Sequence, residues 1–281
     1  MTLQEALHQG TKLLEDARIP APRLTAEVLL VHAVQCRREW LYSHSTDELK
    51  ELWWIHYGRY LHERIEGKPT QYITHVQEFY GRPFRVSPAV LIPRPETEHL
   101  VEAVLSRSIN DGPVIDVGTG SGAIAVTLAL ESKVPVFASD LSHEALQIAR
   151  ANASALGASV QFTQADLLAG IAARSMQMVV SNPPYVPLTE REGLAREVRE
   201  HEPHVALFGG EDGFVLYGCL IAQAALVLRP GGWLLMELAY NGATRVQQML
   251  ELGGCWTAIE LIPDLAGYPR VIAASLRRSA A

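Results

Sequence analysis

From Pro113 onward, short apolar segments alternate with segments of helical periodicity, and this alternation constrains the fold more than any other feature of the chain. Such a rhythm predicts a parallel sheet whose strands are joined by crossover helices. The predicted strands are residues 114–117, 134–138, 160–163, 176–181, 233–239, 256–261 and 270–274, and the predicted helices between them are 123–130, 142–156, 213–228 and 243–252. Residues 229–232, Arg-Pro-Gly-Gly, are predicted to form a turn before the fifth strand.

The first 75 residues have a different pattern, because their apolar residues recur at helical spacing. Helices are predicted at 2–17, 22–35 and 49–65, the first of them behind a capping box of Thr2 and Glu5. Aromatic and apolar residues around Gly81-Arg82-Pro83 predict a short β-hairpin. The sequence therefore predicts a helical domain at 1–75, a hairpin linker at 76–90 and an α/β domain at 91–281.

Charge is distributed unevenly along the chain. The 281 residues carry a net charge of −7, and residues 1–87 contain 11 basic and 11 acidic side chains, so the α/β part carries the whole excess. An acidic α/β part argues against wide contact with a phosphate backbone. The three cysteines are isolated, and no apolar run approaches the ~20 residues of a membrane span. We therefore expect reduced thiols, no metal site, no membrane segment, and a cytoplasmic monomer.

The fourth predicted strand stops at Asn182-Pro183-Pro184-Tyr185. Pro183 and Pro184 have no backbone N–H, and the residue before a proline is extended, so Asn182 is expected to lie at the carboxyl end of the strand. The side-chain oxygen of Asn182 and the carbonyl oxygen of Pro183 are then two fixed acceptors for one planar –NH2 group. Tyr185 adds an aromatic face beside them. The simpler alternative is a rigid turn that carries a surface tyrosine.

A second group of candidate residues lies where the first three predicted strands end. The glycine loop (residues 118–122, Gly-Thr-Gly-Ser-Gly) is expected to bring backbone N–H groups and a helix N-terminus against a ligand, a feature shared by nicotinamide, flavin and nucleoside sites. Asp140 is expected to bind ribose hydroxyls. Asp166 is expected to bind an adenine amino group while Leu167 packs against the ring, with a helix N-cap as the alternative for Asp166.

Asp116 lies inside the strand that precedes the glycine loop. An acid there suits the cationic amino-acid tail of S-adenosylmethionine better than a pyrophosphate, which it would repel. In an open parallel sheet the ligand crevice lies outside the carboxyl ends of the strands. We therefore expect Gly118, Asp140, Asp166 and Asn182 to meet at one edge of the sheet, with a bound sulfonium methyl group pointing towards Asn182.

These motifs together resemble those of class I S-adenosylmethionine-dependent methyltransferases and, more narrowly, of the release-factor glutamine methyltransferase family. The resemblance covers nearly the whole chain. The residues that carry it are Leu91-Ile92-Pro93-Arg94-Pro95-Glu96-Thr97-Glu98, Ile115-Asp116-Val117-Gly118-Thr119-Gly120-Ser121-Gly122, Asp140-Leu141, Ser181-Asn182-Pro183-Pro184-Tyr185, Glu202-Pro203, Gly209-Gly210-Glu211-Asp212-Gly213 and Gly267-Tyr268-Pro269-Arg270. One departure is Leu167, which stands where some relatives have a larger aromatic residue.

The resemblance implies a Rossmann-like sheet of seven strands, the last of them antiparallel, and a small N-terminal helical domain that recognises a protein substrate. It implies methyl transfer from S-adenosylmethionine, with S-adenosylhomocysteine as product, to the side-chain amide nitrogen (N5) of the glutamine in the Gly-Gly-Gln loop of peptide chain release factors. It implies cofactor binding by the glycine loop, Asp116, Asp140, Asp166, Leu167 and Asn182. Catalysis is then expected at Asn182, Pro183 and Tyr185, with Pro184 and Arg94 also contacting the substrate.

Several alternatives remain at the level of sequence. The Asn-Pro-Pro-Tyr motif is shared with methyltransferases of adenine N6 and guanine N2, so an amino-methyltransferase of nucleic acid is the alternative function, although the acidic charge of the α/β part makes direct nucleic-acid binding unexpected. A nicotinamide oxidoreductase would explain the glycine loop and Asp140 but not Asn182. A non-catalytic protein that kept the fold is a third possibility. Arg94, just before the helix predicted near Thr97, either braces its loop or contacts the anionic end of a ligand.

Overall fold

The computed structural model describes residues 1–107 and 112–278. The chain divides into two compact units. The first unit comprises Met1–Val76 and Ala195–His201, and the second comprises Gln77–Leu194 and Glu202–Ala281. Within the described residues, no helix has the length and apolar character needed to cross a membrane.

The first unit is helical. Its helices, numbered by their order in the chain, are α1 (Leu3–Asp16), α2 (Pro22–Val34), α3 (Arg38–Ser43), α4 (Glu51–Ile65), α5 (Thr70–Thr74) and α9 (Arg196–His201). The three predicted helices are confirmed, and so is the capping box: the Thr2 amide donates to the Glu5 carboxylate at 2.8 Å, and the Glu5 amide donates to the Thr2 hydroxyl at 3.2 Å. Helices α3 and α5 were not predicted, because five or six residues are too few to establish a helical period.

The core of the first unit forms between α1, α2 and α4. Tyr57 on α4 is fully buried, and it lies against Gly10 on α1. A β-carbon at Gly10 would come 1.9 Å from the Tyr57 hydroxyl oxygen and 2.7 Å from the ring carbon that carries it. The approach of the two helices at this point therefore depends on the missing side chain of Gly10.

We expect Gly10→Ala to destabilise the protein by about 1–2 kcal/mol, because overpacking a buried site costs more than the ~1 kcal/mol that alanine gains over glycine in a helix. Urea unfolding measures the change. Gly58→Ala on α4 is the matched control, since a β-carbon there meets no atom within 4 Å. Equal stability of the two variants would contradict the role assigned to Gly10.

A β-hairpin follows the helices. Its strands are β1 (Val76–Phe79) and β2 (Arg82–Arg85), as predicted. The two turn residues, Tyr80 and Gly81, both have positive φ, of 53° and 68°, as a tight two-residue hairpin turn requires. Phe79 and Phe84 are buried in the core of the second unit, where their rings meet edge to face.

The second unit is built on a seven-stranded sheet. Its strands are β3 (Val114–Val117), β4 (Val136–Asp140), β5 (Val160–Gln164), β6 (Met176–Ser181), β7 (Leu228–Glu237), β8 (Trp256–Pro263) and β9 (Pro269–Leu276). Its helices are α6 (Glu98–Leu105), α7 (Ala123–Glu131), α8 (His143–Leu156), α10 (Val215–Val227) and α11 (Ala243–Leu252). Among the described residues of this unit, short 3-10 helices occupy Pro95–Thr97, Leu188–Gly193 and His204–Ala206.

The strand order is β5-β4-β3-β6-β7-β9-β8. All pairs from β5 to β7 are parallel, whereas β9 runs antiparallel to both β7 and β8. The chain passes from β3 towards β5 on one side and then returns to β6 on the other, so the direction of winding reverses between β3 and β6. The predicted α/β fold, with seven strands and an antiparallel last strand, is confirmed.

The largest error in a predicted boundary is at the start of β7. Residues 229–232 were predicted as a turn before a strand that starts at Trp233, but β7 already starts at Leu228. Leu228 pairs with Met176 and Trp233 pairs with Met178, so residues 229–232 form an irregularity within the strand. The prolines and glycines in this segment interrupt the ladder without ending it, as in other β-bulges.

Candidate active site

A cavity of about 340 Å³ opens at the carboxyl ends of the parallel strands, where the direction of winding reverses between β3 and β6. This is the position at which an open α/β sheet forms its ligand crevice. The predicted residues that line the cavity are Gly118, Gly120, Asp140, Asp166, Leu167, Asn182 and Pro184. The structure therefore brings together residues from the ends of four strands, as the sequence predicts.

Three backbone N–H groups of the glycine loop do not point to a ligand site as predicted. The amides of Gly118 and Thr119 both donate to the Ser139 carbonyl, at 2.9 and 3.0 Å, and the Gly120 amide donates to the Asp140 carboxylate at 2.8 Å. These three N–H groups therefore have acceptors within the protein. What the loop provides is space, because a β-carbon on Gly118 or Gly120 meets no protein atom within 4 Å.

The remaining loop residues lie behind this surface. Ser121 and Thr119 are buried, and the Ser121 carbonyl accepts a hydrogen bond from the Asn152 side chain at 2.8 Å. Gly122 has a φ of +83°, and a β-carbon there would lie 3.1 Å from the Ala149 β-carbon. These residues hold α7 and α8 close together beneath the loop.

Asp116 is completely buried under the glycine loop, and it does not line the cavity. Its Oδ2 atom accepts hydrogen bonds from the Thr119 hydroxyl at 2.6 Å and the Ala125 amide at 3.2 Å. Its Oδ1 atom has no partner among the described residues. Burial raises the pKa of Asp116 to about 7, against the opposing effect of the two hydrogen bonds.

Asp140 ends β4 and ties two loops together. One carboxylate oxygen accepts from the Gly120 amide and the other accepts from the Ser142 amide, both at 2.8 Å. A carboxylate has about four lone-pair sites, so each oxygen can accept a further hydrogen bond from the cavity side.

Asp166 and Leu167 follow β5 in a turn rather than at the start of a helix, so the N-cap interpretation of Asp166 is wrong. Leu167 has a φ of +51°, which is uncommon for a residue with a side chain. The Ser139 hydroxyl donates to its carbonyl at 2.9 Å and helps to hold it there. This backbone conformation carries the Leu167 side chain to the cavity wall.

Asn182 lies just beyond the end of β6. Its side-chain nitrogen donates to the Thr97 hydroxyl at 3.1 Å, and Thr97 in turn donates to the Glu237 carboxylate at 2.6 Å. Within the described parts of the chain, no hydrogen bond reaches the Asn182 side-chain oxygen or the Pro183 carbonyl oxygen. The two predicted acceptor oxygens are therefore both unused by the described residues; Asn182 lines the cavity, whereas Pro183 is buried and does not line it.

The segment after Asn182 is held by a second loop. The Val186 amide donates to the Leu207 carbonyl at 2.9 Å, and the Gly209 amide donates back to the Val186 carbonyl at 3.0 Å. A β-carbon on Gly209 would lie 2.5 Å from the Pro184 carbonyl oxygen. Gly209 thus permits a backbone contact that fixes the Asn-Pro-Pro-Tyr segment.

Tyr185 packs against the core on one side of the sheet and does not line the cavity. Burial, followed by the nearby charge of Glu237, raises its pKa to about 12. The phenol is therefore neutral at physiological pH.

Arg94 does not line the cavity either. It forms an ion pair with the buried carboxylate of Glu202, which also accepts a hydrogen bond from the Ile92 amide at 3.4 Å. These contacts favour the loop-bracing interpretation of Arg94.

Sequence reasoning missed two residues behind Asn182. Thr97 was predicted only as the start of a helix, and Glu237 was not singled out. The signal for Glu237 is an acid in an otherwise apolar strand, Leu234-Leu235-Met236-Glu237-Leu238. The described residues contain no group of three or more His, Cys, Asp or Glu side chains arranged to hold a metal ion.

Comparison with known proteins identifies the class and then the family. Residues 5–74 match the PrmC N-terminal domain model, and residues 95–202 match the methyltransferase small domain model. A release factor glutamine methyltransferase of Koribacter versatilis is 48% identical over 276 residues, which cover 97% of this chain and 98% of that protein. The domain match and this relative identify the chain as a methyltransferase. The chain belongs to the release factor glutamine methyltransferase family, as its motifs predict.

Two solved structures share the fold. The catalytic domain of hMettl16 has a TM-score of 0.57 and 15% identity, over 79% of this chain and 82% of that one. The T. thermophilus 16S rRNA methyltransferase RsmC, solved in complex with AdoMet and guanosine, has a TM-score of 0.52 and 21% identity, over 72% of this chain and 50% of that one.

The buried Asp116 leads to a prediction about pH. Its pKa is about 7 in the folded protein and near 3.8 when exposed, so the folded state holds the proton more tightly. The contribution of Asp116 to the free energy of unfolding is fully present below pH ~4. It is lost as the pH rises to ~7, at up to about 1.4 kcal/mol per pH unit. Asp116→Asn cannot titrate, so we expect the stability of this variant relative to the wild type to increase over that range.

Urea unfolding of the protein alone, between pH 4.5 and 7.5, measures this difference. Asp212→Asn is the control, because the Phe214 amide and Arg245 hold the pKa of Asp212 below its usual range. Its difference from the wild type should stay constant between pH 5 and 7. A constant difference for Asp116→Asn as well would show that Asp116 stays ionised when buried.

Proposed function

We propose that this protein transfers a methyl group from S-adenosylmethionine to the side-chain amide nitrogen (N5) of the glutamine in the Gly-Gly-Gln loop of peptide chain release factors. The observation that carries the proposal is Asn182, which lines a cavity at the sheet's switch point and whose side-chain oxygen accepts no hydrogen bond from the described residues. The carbonyl oxygen of the next residue, Pro183, is also unused by the described residues. Membership of the release factor glutamine methyltransferase family supports the choice of substrate.

The residues that line the cavity fit the cofactor. The absence of β-carbons at Gly118 and Gly120 leaves room for it, and the free lone pairs of Asp140 suit ribose hydroxyls. Asp166 and Leu167 would contact the adenine. When bound, S-adenosylmethionine supplies an electrophilic methyl group.

Asp116 supports this site from below. The sequence predicted a direct contact between Asp116 and the amino-acid tail of S-adenosylmethionine. Because Asp116 is buried behind the loop, we assign it an indirect role instead. Its hydrogen bond from Thr119 holds the loop in shape, and its charge favours a cation above it.

The amide nitrogen of glutamine is a poor nucleophile, because its lone pair is delocalised into the carbonyl group. Acceptance of its two N–H bonds by Asn182 and Pro183 pushes electron density back to nitrogen and fixes its plane. Pro184, which lines the cavity, limits its movement, and Tyr185 supports the segment through its packing against the core. Positioning of two reacting groups can supply roughly 7–11 kcal/mol of a barrier. Arg94 contributes by holding its loop through Glu202. The amide proton becomes acidic only as the methyl group transfers, so no strong base is needed beforehand.

The rest of the chain completes the proposal. Residues 1–75 form a domain that recognises the release factor, residues 76–90 form the linker, and residues 91–281 carry the methyltransferase site. The enzyme acts as a cytoplasmic monomer, without a metal ion and without direct contact to nucleic acid.

The direct test is methyl transfer from labelled S-adenosylmethionine to a purified release factor, run beside duplex DNA. We expect label on the glutamine of the Gly-Gly-Gln peptide. Asn182→Ala should lower turnover by roughly 10²–10³-fold, the usual loss when one preorganised hydrogen-bonding group is removed, while cofactor affinity stays unchanged.

Asn241→Ala, which removes an exposed asparagine, is the control and should retain full turnover. Label on DNA alone would overturn the proposed substrate. Full turnover by Asn182→Ala would overturn the role of its side chain as an acceptor.

The glycine loop gives a separate prediction about the cofactor. Gly118 and Gly157 have φ values of +73° and +74°, and a β-carbon on either meets no atom within 4 Å. Alanine should therefore strain both positions equally. Only Gly118→Ala places a methyl group in the cavity, and we expect it to weaken S-adenosylmethionine binding by about 10- to 100-fold. Calorimetry measures both variants, and equal affinities would exclude the cofactor from this part of the cavity.

A further inference from the structure

Two buried polar side chains stand in line behind Asn182. Thr97, at the end of the 3-10 helix that leads into α6, is 5% exposed, and Glu237, at the end of β7, is 1% exposed. The hydrogen bonds run from Asn182 Nδ2 to Thr97 Oγ1 at 3.1 Å, and from Thr97 Oγ1 to Glu237 Oε2 at 2.6 Å. Neither Thr97 nor Glu237 lines the cavity, so neither can contact a ligand bound there.

The direction of these hydrogen bonds follows from a count of protons. A threonine hydroxyl has a single proton, and an ionised carboxylate can only accept. Because Thr97 gives its proton to Glu237, its oxygen can only accept from Asn182. Asn182 must then turn its –NH2 group towards Thr97, which leaves its oxygen on the opposite side of the amide.

The alternative orientation of the amide is costly only while this order of donors holds. If Asn182 were turned over, its oxygen would face the Thr97 oxygen with no proton between them, and buried polar groups without partners are expensive. If the carboxyl group of Glu237 were neutral, it could donate to Thr97, and Thr97 could then donate to the Asn182 oxygen. Ionised Glu237 therefore selects one of two orientations.

We propose that Glu237 and Thr97 are positioning residues that orient the Asn182 amide so that its oxygen, rather than its –NH2 group, faces the substrate amide and accepts its N–H hydrogen bond. This inference rests on the proposed function, because it assigns Asn182 the acceptor role. It adds a reason why the acceptor faces the substrate before the substrate arrives.

The surroundings of Glu237 make the selection sensitive to pH. Burial raises the pKa of Glu237 to about 7, while the hydrogen bond from Thr97, the charge of Arg270 and a hydrogen bond from Asn182 lower it, and Glu96 raises it. Tyr185 and Tyr217 are the other titratable groups that face it, and burial keeps both neutral. The correct orientation is therefore expected to be lost as the pH falls through about 7.

Three threonine variants test the inference by turnover with purified release factor and labelled S-adenosylmethionine. Thr97→Val keeps the shape but removes the hydroxyl, and we expect kcat to fall by about 10- to 100-fold with cofactor affinity unchanged. Thr97→Ser keeps the hydroxyl and should restore most of the turnover. Thr127→Val is the matched control, because Thr127 is also fully buried but its hydroxyl has no partner among the described residues.

The pH profile of kcat distinguishes a positioning role of Glu237 from a role in packing alone. The wild type should lose turnover below about pH 7, and Glu237→Gln, which cannot titrate, should lose this acid limb together with most of its activity. In ¹⁵N-labelled protein, the side-chain –NH2 signals of Asn182, assigned by their absence in Asn182→Ala, should shift over the same pH range. That shift should persist in Thr97→Ser and become smaller in Thr97→Val, where only the direct hydrogen bond from Asn182 to Glu237 remains, and this readout does not depend on activity.

Wild-type kcat in Thr97→Val, together with inactive Asn182→Ala, would overturn the positioning role and leave the proposed function intact. Full activity of Asn182→Ala, or no methylation of release factor by the wild type, would instead overturn the proposed function. If Thr97→Val does not fold, the Glu237→Gln profile and the Asn182 signals decide: an unchanged acid limb, or signals that do not move with pH, would overturn the inference.

Discussion

The site depends on one backbone constraint, which is the abrupt end of β6 at two prolines. Neither Pro183 nor Pro184 can donate to a strand ladder, so the chain leaves the sheet directly after Ser181. This happens beside β3, where the winding of the sheet reverses and a crevice must open. Asn182 is thereby placed at the crevice, and neither its side-chain oxygen nor the Pro183 carbonyl oxygen accepts a hydrogen bond from the described residues.

Buried polar groups help to hold this edge of the sheet in shape. Asp116 supports the glycine loop from beneath, and Glu237 lies behind Asn182. Both are buried acids, and burial raises the pKa of each to about 7. Such groups cost stability at neutral pH, and their retention next to the cavity is typical of functional sites, where pKa values are often perturbed.

The sequence predicted the strands and their ends well, because buried parallel strands are short apolar runs and their carboxyl ends carry polar residues. It also led to the acceptor pair at Asn182 and Pro183. The prediction that the N–H groups of the glycine loop bind a ligand was wrong for Gly118, Thr119 and Gly120. Their acceptors are the Ser139 carbonyl and the Asp140 carboxylate, which belong to another strand. The same limit applies to Arg94, whose partner Glu202 lies 108 residues further along the chain.

The sequence by itself determined the order of strands and helices, the family, and the residues that end each parallel strand. These follow from local rules of periodicity, proline geometry and glycine conformation, which act over a few residues. Only the tertiary structure decided which of those residues face the cavity, and that Thr97 and Glu237 stand behind Asn182. Those three residues are separated by 85 and 55 positions, and a hydrogen bond between distant residues leaves no periodic trace in the sequence.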